Sequence, residues 1–102
     1  MAEVTTLARP YAEAVFKLAD QANSLGVWSA NLARLSAAAA QSNVREAIGD
    51  PKTTTSQLVD MFGGVVDLCS PEMKNFLTLL GDNGRLTLLP QIQTRFEEMK
   101  YQ

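Results

Sequence analysis

Histidine, the commonest general base and metal ligand, does not occur in this 102-residue sequence. A nucleophile would have to come from the single cysteine, Cys69, which stands just before a helix start where a thiolate gains some stabilisation. With no imidazole to activate it, Cys69 reads as structural. Glu97 and Glu98 are adjacent acids, but the sequence implies no apolar pocket around either, so they read as a solvated patch rather than an acid–base pair. Gly63-Gly64 and the Gly81 to Gly84 segment lack the spacing that cradles a phosphate. The residue inventory therefore offers no catalytic group, no cofactor site and no metal site. The activity left to it is recognition by helix surfaces.

Charge narrows the partners. Nine Lys plus Arg against eleven Asp plus Glu give a net charge of -2. The basic residues are scattered, with no stripe to track phosphates, so no nucleic acid is expected. A hydrophobic fraction of 46% with 20% charged residues is ordinary for a globular chain. The length suits one packed core spanning residues 1–102. No apolar run is long enough to cross a bilayer, so no direct membrane insertion is expected. The first ten residues lack the basic and apolar regions of a secretory signal. A lone cysteine makes no internal disulfide and fits a reducing cytoplasm. The expectation is a soluble intracellular domain.

Strand signals are almost absent, and the punctuation is helical throughout. The first helix is expected to begin with Thr5 or Thr6 as cap, leaving Pro10 near the first turn where a missing amide costs little. Arg9–Glu13 and Glu13–Lys17 are opposite charges four apart. Asn23, Ser24 and Gly26 break the pattern. A second helix from about Val27 to Gln41 carries the inward stripe Leu25, Trp28, Leu32, Leu35 and Ala39. Asn43 to Glu46 has the spacing of a capping box, starting a short helix that Gly49, Asp50 and Pro51 end. Thr54 or Thr55 caps the fourth, whose stripe is Leu58, Phe62 and Val65, flanked by Val59 and Val66. Ser70-Pro71-Glu72 is a start signal made of a cap, a proline in the first turn and an acid at the positive helix end. On that fifth helix Met73, Phe76, Leu77 and Leu80 share a face. The Gly81 to Gly84 turn then leads to a last helix from about Thr87, with Leu89, Ile92, Phe96 and Met99 inward. Its pattern is still alive at Gln102, as expected of a piece of something longer. The fold class is all-α, a compact bundle of six helices with one short.

The stretch Leu7 to Ala22 has more apolar surface than one core contact needs. At roughly 100° per residue, Leu7, Tyr11, Ala14, Leu18 and Ala22 form one strip. Ala8, Ala12, Val15 and Ala19 form another, closed by Phe16. Together they cover roughly 200°, where seating a surface helix takes about 100°. The helix is either central, with neighbours on both sides, or it seats one strip and offers the other to a partner. Periodicity does not choose. Leu79 poses a smaller version of the same question: it lies roughly 100° to one side of the fifth helix's stripe, beside Glu72 and Asn75.

Leu7 to Phe16, LARPYAEAVF, resembles the RPYAxAxF opening of the δ subunit of bacterial F-type ATP synthases, relatives of the mitochondrial oligomycin-sensitivity-conferring protein. Asn83-Gly84-Arg85-Leu86, followed by Leu89-Pro90, is similar to a second segment of that family, in order and in register. The resemblance covers essentially the whole chain. It implies the amino-terminal domain of a longer subunit, without the carboxy-terminal domain that meets the b subunits of the peripheral stalk. It further implies a non-catalytic stator component of the proton-translocating synthase, peripheral on the cytoplasmic face of the bacterial inner membrane. The amino-terminal segment of an α subunit would lie as a helix in a groove between the first and fifth helices. By the same resemblance Leu7, Tyr11, Ala14 and Leu18 face that groove, with Ala14 as the close-approach point. Asn75 and Leu79 form the opposite wall, and Arg85 fastens the turn after it. The rival reading is an unrelated helical adaptor that docks another amphipathic helix.

Overall fold

The computed structural model describes residues 2–66 and 70–101, so Cys69 lies outside the described residues. Six α-helices follow one another: α1 (Ala2–Gln21), α2 (Leu25–Ala39), α3 (Ser42–Gly49), α4 (Thr55–Met61), α5 (Pro71–Asp82) and α6 (Leu89–Lys100). Single 3-10 turns cover Phe62–Gly64 and Leu86–Leu88. Among the described residues there is no strand, and no helix is long and apolar enough to cross a membrane.

The helix starts divide into those written locally and those that are not. Thr54 accepts a hydrogen bond from the Gln57 amide at 3.2 Å while the Gln57 side chain accepts from the Thr54 amide at 2.9 Å, a complete capping box. Ser70 caps α5 as expected, accepting from the Met73 amide at 3.4 Å with Pro71 in the first turn. Elsewhere the local expectation is displaced. Gln41, not Asn43, is the cap of α3, with no side-chain bond, so no Asn43–Glu46 box forms. The first helix begins at Ala2 rather than after Thr5 or Thr6, which places Pro10 inside it. Pro10 is exposed, so its ring is accommodated on the solvent side, where a helix can open slightly to admit it. Thr87 falls in the 3-10 turn, and α6 starts two residues later.

Two helix ends use the same device. At the end of α1, Asn23 takes φ +55° while the Ser24 amide donates to the Ala19 carbonyl at 2.8 Å and the Asn23 amide to Asp20 at 3.2 Å. At the end of α5, Gly84 takes φ +66°, with Arg85 N–H bonded to Leu80 O at 2.8 Å and Gly84 N–H to Gly81 O at 3.1 Å. Both are Schellman closures, which satisfy the last carbonyls by reversing the chain through one left-handed residue. Arg85 thus secures that turn through its backbone amide.

α6 is the hub. Its most extensive backbone contacts are with α1 and α2, and Leu89, Ile92 and Phe96 along it are fully buried. Phe96 meets Phe16 of α1 edge to face at 5.6 Å, and Trp28 of α2 meets Phe76 of α5 the same way at 5.8 Å. Glu97 is no free surface acid: half-buried, it accepts the Ser29 hydroxyl of α2 and sits 3.9 Å from Lys100. Glu98 lies 3.8 Å from Arg95. These are the close ion pairs among the described residues; Arg9–Glu13 and Glu13–Lys17 form none, as is common for long side chains free to move in water.

Gly81 has a role that its turn-like neighbours conceal. It lies inside α5, and a Cβ there would stand 2.7 Å from Thr55 Cγ2 of α4. Gly81→Ala gains helix propensity of about 1 kcal/mol but forces that contact, so a net loss of about 1 kcal/mol is expected in urea denaturation. Thr55→Ser removes the obstructing methyl. On that background Gly81→Ala should become stabilising; continued destabilisation would show that another constraint holds the glycine.

Candidate partner-binding groove

The tertiary structure distinguishes the two apolar strips of α1. Ala8, Ala12, Val15 and Ala19 are 3% exposed or less, turned against the core. On the other strip Leu7 is 43% exposed, Leu18 36% exposed, and Ala14 is open to solvent. Tyr11 straddles the two: its ring is half-buried against the core cluster, and its hydroxyl accepts a hydrogen bond from Asn83 Nδ2 at 3.1 Å. On α5, Met73, Phe76, Leu77 and Leu80 are buried while Asn75 and Leu79 are exposed, Leu79 by 51%.

Two contacts relate these faces. Asn83, just past the end of α5, meets Tyr11 in the first half of α1. Glu72 and Met73, at the start of α5, line a cavity of about 330 Å³ together with Leu18 and Ala22 from the second half of α1 and with Trp28 of α2. The helices therefore run antiparallel across a furrow. In chain order Ala14 falls between Tyr11 and Leu18 on α1, and Asn75 and Leu79 fall between Met73 and Asn83 along α5. Along their backbones α1 and α5 scarcely approach each other, in contrast to α1 with α6. Trp28, which lines the cavity, is buried and packs edge to face on Phe76 of α5.

All six residues singled out from the sequence, Leu7, Tyr11, Ala14, Leu18, Asn75 and Leu79, are thus at least partly accessible. Four residues of this region were not legible as such. Asn83 reads as a turn former, Glu72 as a helix-start acid on the Leu79 flank, Met73 as core alone, and Val27, 62% exposed beside the cavity, as a helix-start residue. Nothing in the local sequence signals that Asn83 meets Tyr11 or that the other three share a cavity with Leu18 and Ala22.

The family model for the ATP synthase delta (OSCP) subunit matches residues 7–102. The chain belongs to that family. Relatives named ATP synthase subunit delta include those of Nitrosospira multiformis and Aromatoleum aromaticum, each 46% identical over 101 residues, and of Laribacter hongkongensis, 45% identical over 101 residues. Each alignment covers 98% of this chain and 57% of the relative, so the chain spans little more than half the length of these delta subunits. The delta (OSCP) family is one of structural, non-catalytic subunits.

Proposed function

We propose that this chain is the amino-terminal domain of an ATP synthase stator subunit and holds the amino-terminal segment of an α subunit, as an amphipathic helix, between α1 and α5. The reading rests on one observation: an apolar strip on α1 and Leu79 on the outer flank of α5 are left uncovered, while the stripes Trp28–Leu32–Leu35, Met73–Phe76–Leu77–Leu80 and Leu89–Ile92–Phe96 are buried. An amphipathic helix laid in that furrow would bury both. The task is mechanical. The catalytic head must not turn with the rotor, so the domain contributes a slowly dissociating attachment to the peripheral stalk, and the b subunits would be met by the remainder of a longer subunit. The subunit would sit on the cytoplasmic face of the membrane as a peripheral part of the synthase. Apolar burial at about 25 cal/mol per Å² supplies the attraction, from which ordering a flexible segment subtracts several kcal/mol.

Isothermal titration with a synthetic peptide from the start of the same organism's α subunit tests this. Saturable one-to-one binding is expected. Tyr11→Ala should weaken it by about 1–3 kcal/mol, the range for an interfacial aromatic anchor. Because Tyr11 is half-buried, a stability loss of about 1 kcal/mol should accompany it, lowering Tm by about 4–8 °C. A collapse of folding with unchanged affinity per folded molecule would make Tyr11 a core residue and reverse the assignment. Absence of saturable binding would remove the groove reading.

A further inference from the structure

Glu72 stands at the rim of the cavity whose apolar walls come from Leu18, Val27, Trp28 and Met73. Its Oε2 accepts the Ser70 hydroxyl at 3.2 Å, and among the described residues it has no cationic partner. Lys74 on the same helix is roughly 200° around the axis from it, and Lys17 is roughly 100° around α1 from Leu18. Among the described residues lining the cavity, Glu72 is the one that carries a charge. An apolar recess with a single carboxylate at its edge is complementary to a bulky apolar side chain with a basic group three or four residues away on the same helix face.

Resting on the groove reading above, we infer that this end of the furrow is a register-setting subsite: the partner helix seats a large apolar side chain against Trp28 and places a Lys or Arg on Glu72. Along the rest of the furrow Ala14, Asn75 and Leu79 offer no charge, so apolar contact alone would tolerate the helix sliding by one turn. The Glu72 contact removes that freedom. As a rim charge it acts more on specificity and association than on total affinity.

The test is a charge swap on the 102-residue chain, with the α-segment peptide and variants in which each Lys or Arg is replaced in turn by Glu. Glu72→Lys should lower affinity for the unmodified peptide about five- to tenfold at low salt, less at high salt. One of the Glu-substituted peptides should bind weakly to the wild-type chain and regain affinity on Glu72→Lys. Because an acid here also favours the helix start, Glu72→Gln, with melting followed in parallel, separates the two roles. A change in melting with no peptide position coupled to residue 72 would overturn the subsite while binding that still responds to Tyr11→Ala leaves the groove standing. Failure of the unmodified peptide to bind would remove both.

Discussion

Ala14→Asp abolishes binding of the α-segment peptide, raising Kd more than about 100-fold, while the free chain melts nearly as before. Ala14 is open to solvent in the free domain, so the new carboxylate is hydrated there and costs only the helix propensity of Asp, about 0.7 kcal/mol at most. Its position is the middle of the furrow, between the Tyr11–Asn83 contact and the cavity at Leu18. A helix seated there would strip water from the carboxylate and offer it apolar atoms in return. Leaving a charge buried without a partner costs several kcal/mol, enough for the stated loss. Titration and thermal melting on the same preparation check both halves. Binding that survives would place the partner elsewhere; melting that collapses would place Ala14 in the core.

The second large effect concerns the hub. Phe96→Ala should cost about 3–5 kcal/mol in chemical denaturation. Phe96 is fully buried on α6, edge to face with Phe16, where α6 joins α1 to α2. Truncation removes the ring contact and leaves a void that three helices would have to close. Since domains of this size are stable by about 5–15 kcal/mol, a large share of the margin goes, and Tm should fall by more than about 10 °C. A loss below about 1 kcal/mol would mean that α1 and α2 collapse readily onto the gap, and that α6 is a cover rather than a hub.

These two substitutions sit on opposite sides of α1, and that opposition is the functional content of the fold. The inward strip is mostly alanine and lets α6 approach closely; the outward strip carries Leu7, Ala14 and Leu18 to solvent. A domain that used all of its apolar surface for itself would have nothing to hold a partner with. In the proposed groove the exposed apolar groups of α1 and α5 would be met together by a single amphipathic helix.

The sequence by itself determined what depends on near neighbours. All six helices, their inward stripes on α2, α5 and α6, a cap at Thr54 or Thr55, the cap at Ser70, and the isolated position of Leu79 follow from spacing and from side chains that bond within three residues. The tertiary structure decided what depends on who lies opposite. Only the closeness of α6 turns the alanine strip of α1 inward, because two strips of similar periodicity are equivalent until a neighbour covers one. Only the approach of α4 makes Gly81 a packing residue, and only the solvent side of α1 lets Pro10 remain inside a continuous helix. The Tyr11–Asn83 contact joins residues 72 positions apart, a distance over which local propensity carries no information.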